Sequence, residues 1–163
     1  MSQRAAVAAV RFRPAVPADR AVLRAFVDHD VAGTPYAEVP AYFLRLALEG
    51  RATESRAIVA ERGADIVGFA LFGEVAGAVG TGRMHFITVT ASSRLHTIGA
   101  GLCEAAVADL ASHGVRFIVA ELPDDPVLAS GRALLARCGF VEVAHVPDYY
   151  RDGIALLVLQ RPA

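Results

Sequence analysis

Between Met84 and Leu110 the chain changes its period. Ile87-Thr88-Val89-Thr90 is a β-branched run suited to a strand, residues 91–97 are short and polar, and Ile98-Gly99-Ala100-Gly101-Leu102 opens a helix. Beyond Leu102 the apolar positions Ala105, Ala106, Leu110 and Ala111 recur at helical spacing, with Glu104 and Asp109 off that face. The first amides of such a helix have no partner within it and point at whatever lies above the loop. That makes an anion site, and phosphate is its usual occupant. Two other readings stand beside it. Gly99-Ala100-Gly101-Leu102-Cys103-Glu104 is close to a dinucleotide fingerprint, with Glu121 roughly 20 residues further on. Against this, Glu104 replaces the third glycine, and residues 91–98 separate the strand from Gly99, where the fingerprint places glycine directly after the strand. The plainer alternative is a helix that merely starts at a Gly-rich turn and binds nothing.

The rest of the chain supplies further elements. Val10 to Arg13 reads as a strand ended by Pro14, and Pro17-Ala18-Asp19 opens a helix with Val22, Leu23, Phe26 and Val27 at helical spacing. A second helix lies between Pro40 and Gly50 (Tyr42, Phe43, Leu46, Ala47). Arg56 to Glu61 and Ile66 to Phe72 are strands around the tight-turn composition Arg62-Gly63-Ala64-Asp65. Gly77 to Gly82 reads as a loop, Met84 to Thr90 as a strand, Gly99 to His113 as a helix and Arg116 to Glu121 as a strand. Pro126 to Cys138 is a helix closed by Gly139. Phe140 to Val146 and Ile154 to Gln160 form a final antiparallel pair, joined by a loop over 147–153. The predicted order is β-α-α-β-β-β-α-β-α-β-β, an α/β mixed sheet with helices on both faces.

A chain of 163 residues, 55% hydrophobic and 20% charged, reads as one globular domain over 1–163. Its net charge of −1 gives no reason to expect binding to nucleic acid or to an anionic membrane. Cys103 and Cys138 fit no metal spacing and fall on apolar helical faces, so no metal is expected. No apolar run is long enough to cross a bilayer. Met1 to Val10 has one arginine, a short Ala/Val stretch and no cleavage site, so no signal peptide is expected and the expected location is cytoplasmic.

The loop from Arg94 to Gly99 resembles the acyl-CoA loop of the GNAT superfamily of acetyl-CoA-dependent N-acetyltransferases. That pattern is Gln or Arg, two residues, Gly, one residue, then Gly or Ala. Arg94 and Gly99 match it, Thr97 stands where the first glycine is usual, and Ala91 where a proline is common. The order of elements also matches the GNAT fold, as do Gly139-Phe140 after a helix and Asp148-Tyr149-Tyr150 between the last strands.

The resemblance implies a fold, an activity and a set of site residues. The fold is a mixed, mostly antiparallel central sheet whose two parallel strands splay apart to admit the pantetheine arm. The backbone of Ile87, Thr88 and Val89 would hold that arm, and the amide near Val89 would face the thioester oxygen. Arg94, Leu95, His96, Thr97, Ile98, Gly99 and Ala100 would cradle the pyrophosphate. Glu121, ending the strand across the splay, is the candidate general base; an edge carboxylate facing solvent is its plain alternative. Leu135 occupies the position where many family members carry a proton-donating tyrosine. Tyr149 and Tyr150 are the candidate substitutes, or else wall residues of the acceptor site with Tyr36, Glu38 and Tyr42. His85 has a suitable pKa and lies on the strand that bears the cofactor. The implied reaction moves an acetyl group from acetyl-CoA to an amine of a small molecule or protein N-terminus, with a homodimer left open. A GNAT-like module that binds acyl-CoA with little or no transfer is the alternative, and an interaction domain without cofactor is a third.

Overall fold

The computed structural model describes residues 9–31, 33–50, 53–93 and 97–163. Seven strands form one sheet: β1 (Val10–Pro14), β2 (Arg56–Arg62), β3 (Asp65–Glu74), β4 (Thr81–Val89), β5 (Phe117–Pro123), β6 (Val141–Arg151) and β7 (Ile154–Pro162). Their spatial order is β1-β2-β3-β4-β5-β7-β6. The helices are α1 (Arg20–Val31), α2 (Glu38–Leu48), α3 (Ile98–Ser112) and α4 (Ala129–Arg137). This is the predicted order of elements, and among the described residues β4–β5 is the one parallel pair while every other neighbour is antiparallel.

Each face of the sheet has its own core. On one, Leu23, Val27 and Val31 of α1 and Leu44 and Leu48 of α2 pack on Val59, Phe69 and Leu71. On the other, Leu102, Ala106 and Leu110 of α3 and Leu134 and Leu135 of α4 pack on Ala70, Phe72, Met84 and Ile118. The approach to α1 is fixed by the Asp19 carboxylate, which accepts from the Val16 amide at 2.8 Å and from two Arg13 nitrogens at 2.8 and 3.0 Å. The Arg13 hydrogen bond is the largest influence holding the Asp19 pKa below the usual carboxylate range. Arg13 also donates to Glu61 of the adjacent strand at 2.6 Å, so one arginine ties β1, β2 and the entrance to α1 together.

Several boundaries differ from the sequence reading: α2 already begins at Glu38, so Pro40 lies inside it, Pro17–Asp19 is a 3-10 turn ahead of α1, and three further differences lie nearer the site. The strand β4 begins at Thr81, inside the stretch expected to be a loop, and these early residues carry all of its pairing to β5. The helix expected from Pro126 is interrupted: Pro126–Leu128 is a separate 3-10 turn, in which Asp125 Oδ1 accepts from the Val127 amide at 3.1 Å, and α4 follows. The segment expected as a loop over 147–153 belongs mostly to β6, which runs to Arg151. Its register against β7 breaks between Val146 and Arg151, where Asp148 takes a positive φ of 53°. Proline, aspartate and paired tyrosines resemble loop composition because an irregular edge strand tolerates them.

The short parallel seam positions the site. Thr81 to Met84 pair with Phe117 to Ala120, and there the ladder stops. Past that point β4 continues to Val89 against β3, while β5 continues to Pro123 against β7. The two strands part, leaving a wedge open between them.

Candidate active site

Two cavities meet along this wedge, and Val31, Phe86, Ile87, Leu128 and Gly131 line both. The first, of about 250 Å³, lies between the parted strands, the segment before α2 and the end of β6. The second, of about 710 Å³, runs from the end of β4 to the first turn of α3 and along α4.

The first cavity is walled by apolar side chains, with a few polar groups set among them. Glu121 Oε1 accepts from Arg83 Nη2 at 3.0 Å, a pair that is partly exposed to solvent. Tyr36 donates its hydroxyl to Asp125 Oδ2 at 2.9 Å, and Arg151 Nη2 donates to the same oxygen at 3.0 Å. This carboxylate therefore joins the segment before α2 to the end of β6. Tyr36 and Tyr150 meet edge to face at 5.7 Å between centroids. Burial, then the nearby Glu121 charge, raises the Tyr150 pKa, so this phenol keeps its proton at neutral pH.

His85 is the extra residue of a β-bulge: Leu71 pairs with Phe86 and Phe72 with Met84, leaving His85 unopposed. Its ring stacks on Phe43 at 3.5 Å between centroids, and Nε2 lies 3.2 Å from the Glu54 carbonyl. Burial pushes its pKa down to about 4. The imidazole is neutral at pH 7, and Nε2–H donates to that carbonyl.

The second cavity combines a backbone edge with an anion site. Among the described residues, β4 has no strand partner from His85 to Val89 on the side that faced β5, so its amides and carbonyls on that side suit an extended ligand. Thr88 uses its own hydroxyl otherwise, donating it to Asp30 of α1. At the other end Thr97 immediately precedes α3, makes no side-chain cap and has an ordinary φ of −74°. There is no acidic side chain in the first turn of α3, and Arg137 of α4 lines the same cavity. First-turn helix amides and a nearby guanidinium favour a phosphate there.

The predicted residues fall into three groups. Ile87, Thr88, Val89, Thr97, Gly99 and Ala100 line the second cavity, and Glu121 and Tyr150 the first. Ile98 turns into the core, and Tyr149, 60% exposed, packs on Tyr150 at 5.0 Å outside the cavity wall. Arg94, Leu95 and His96 lie outside the described residues. Of the suggested acceptor wall, Tyr36 lines the first cavity, whereas Glu38 is exposed and Tyr42 packs on Phe43 and Arg45. Sequence reasoning missed Arg137, Asp125 and Arg151. Only Arg137 carried a local signal, as a basic residue in the last turn of a helix.

The glycines that read as a dinucleotide fingerprint pack helices instead. A Cβ on Gly99 would come within 2.9 Å of both Leu134 methyls, and one on Gly101 would run into the ring of Phe12. They let α3 lie close to α4 and β1.

Comparison with known proteins agrees with this geometry. Residues 23–140 match the model of the acetyltransferase (GNAT) family. No curated protein matches the chain. Among solved structures, one from Desulfovibrio desulfuricans assigned to the GNAT acetyltransferases is 26% identical with a TM-score of 0.83, covering 94% of this chain and 99% of that one. A ribosomal-protein-alanine N-acetyltransferase from Brucella melitensis is 21% identical (TM-score 0.73; 94% and 99% covered). A Salmonella typhimurium structure, described as an acetyltransferase with its cofactor acetyl-CoA, is 18% identical (TM-score 0.76; 95% and 94% covered). With the family pattern matched over most of its length and the parted strands in place, this chain belongs to the GNAT acetyltransferase family.

Proposed function

We propose that the protein transfers an acetyl group from acetyl-CoA to the amine of a small molecule or of a protein N-terminus. The observation that carries this reading is the wedge between β4 and β5, with one cavity on the donor side and one on the acceptor side. The residues present fit the donor: an open strand edge suits an amide-bearing arm, and first-turn helix amides beside Arg137 suit a pyrophosphate. When bound, acetyl-CoA supplies an activated acyl group on a thiol leaving group.

In this reading the backbone of Ile87, Thr88 and Val89 holds the acyl arm, and the amide near Val89 donates to the developing oxyanion. Thr97, Ile98, Gly99 and Ala100 offer first-turn amides to phosphate, and the family pattern extends that cradle to Arg94, Leu95 and His96. Glu121 takes a proton from the attacking amine, directly or through water. Tyr150, which keeps its phenolic proton, delivers one to the leaving sulfur. Tyr149 supports it by ring contact. Holding amine and acyl carbon together in the wedge supplies much of the acceleration without either proton-transfer group.

One observation favours a second reading, a module that binds acyl-CoA with little transfer. Leu135, at the position where the family commonly has tyrosine, lines the first cavity and donates nothing. Calorimetry and CoA release separate the two. The transferase reading expects acetyl-CoA to bind and CoA to be released with an amine. It expects Glu121→Gln to lower kcat/KM by about 10²–10⁴. Tyr150→Phe should lower kcat by about tenfold or more at unchanged acetyl-CoA affinity, while Tyr149→Phe stays within about twofold. Tight binding without CoA release from any amine or peptide overturns the enzyme reading in favour of the module.

A further inference from the structure

Apart from the Tyr150 hydroxyl, the polar side chains around the first cavity are already engaged. Glu121 is held by Arg83, Arg151 by Asp125, the Tyr36 hydroxyl by Asp125, and His85 by a backbone carbonyl. Among the described residues, Glu121 and Arg151 are the only lining side chains charged at neutral pH, one of each sign and each already paired. His85 adds no charge, because burial keeps it neutral. The remaining wall is apolar or aromatic, with Val39, Met84, Phe86, Leu122 and Leu135 facing the Tyr36–Tyr150 pair. The volume of about 250 Å³ lies below the roughly 300–1,000 Å³ of pockets that take drug-sized ligands. Tyr36, Asp125 and Arg151 tie together the elements on either side of this space.

We infer that the acceptor is a small apolar monoamine, a single primary amine on a branched aliphatic or arylalkyl skeleton, and not a polyamine, aminoglycoside, amino acid or peptide N-terminus. This rests on the acyl-transfer reading of the same site. A second ammonium or a carboxylate on the acceptor would exchange water for a largely apolar wall whose two charged side chains already hold partners, and that desolvation is disfavoured. An apolar skeleton replaces water against the aromatic and aliphatic wall at no such cost. The amine itself can approach Glu121, whose role as proton acceptor needs only one nitrogen within reach.

Matched pairs of acceptors test this with the intact protein and acetyl-CoA. 2-Phenylethylamine against phenylalanine differs by one carboxylate, and butylamine against 1,4-diaminobutane by one ammonium. In each pair the monoamine should have the higher kcat/KM by about tenfold or more. Both should also exceed an aminoglycoside and a short peptide with a free N-terminus. Val39→Glu puts a carboxylate on an exposed residue of the cavity wall and should narrow the gap between 1,4-diaminobutane and butylamine. A diamine, amino acid, aminoglycoside or peptide that equals or beats the monoamines overturns the inference and leaves the transferase reading standing. Failure of every amine and peptide, with acetyl-CoA still bound, overturns the transferase reading itself.

Discussion

His85 shows how one side chain can couple the site to pH without taking a proton in the reaction. In the unfolded chain a histidine titrates near 6.5, whereas the folded protein holds His85 near 4. Burial is the main cause, the Arg83 charge adds to it, and the Glu54 carbonyl opposes it. Between those two values the unfolded chain carries the extra proton. Stability is therefore full above about 6.5 and declines as pH falls toward 4, by up to about 3 kcal/mol. His85→Gln should keep a hydrogen bond to the Glu54 carbonyl while removing the titration. Urea midpoints measured from pH 7 to pH 4 should fall less steeply in this variant than in the wild type. Equal slopes would mean that His85 is solvated in the folded state.

At the scale of elements, the packing of α3 gives the clearest test. Gly99 is buried, and its missing Cβ makes room for Leu134. Gly99→Ala should cost about 1 kcal/mol, the net of overpacking against the helix propensity that alanine gains. In a Leu134→Ala background the same change should become neutral or stabilising, read from paired urea unfolding curves. A cost that persisted there would place the constraint in the backbone of the loop. This also shows what was legible in the sequence. Strand and helix periodicity gave the order of the strands and α-helices, most plainly where one face packs on a core, whereas the full length of β6, exposed throughout, had no such signal. The glycine pair gave an ambiguous motif, because close packing and ligand approach both ask for a residue without a side chain. Thr97, out of place in the family pattern, is accommodated by an ordinary backbone conformation. The Tyr36–Asp125–Arg151 connection was invisible, since it joins residues far apart in the chain by long side chains. The unexpected length of β4 mattered most: Thr81 and Gly82, with Gly80 before them, have loop-like composition, yet with Arg83 and Met84 they form the whole seam with β5.

For the whole molecule, a ligand lodged in the wedge should raise the unfolding temperature. Acetyl-CoA at a hundredfold excess over its Kd adds about 2.7 kcal/mol, roughly 5–10 °C for a chain of this size, measurable by scanning calorimetry. No shift with acetyl-CoA, and one with a dinucleotide instead, would restore the fingerprint reading of Gly99 and Gly101. The seam itself has a kinetic meaning. On one side, β1 to β4 form a meander of sequence-adjacent antiparallel strands, and on the other β5, β7 and β6 form a second antiparallel set. Among the described residues, the only ladder between the two sets is the four residue pairs from Thr81–Phe117 to Met84–Ala120. In native-state hydrogen exchange these amides should open at lower free energy than those of β3, whose ladders to both neighbours run longer than the seam. A ligand bridging the wedge should slow that opening, so that protection rises along the seam before it rises in β1 or β6.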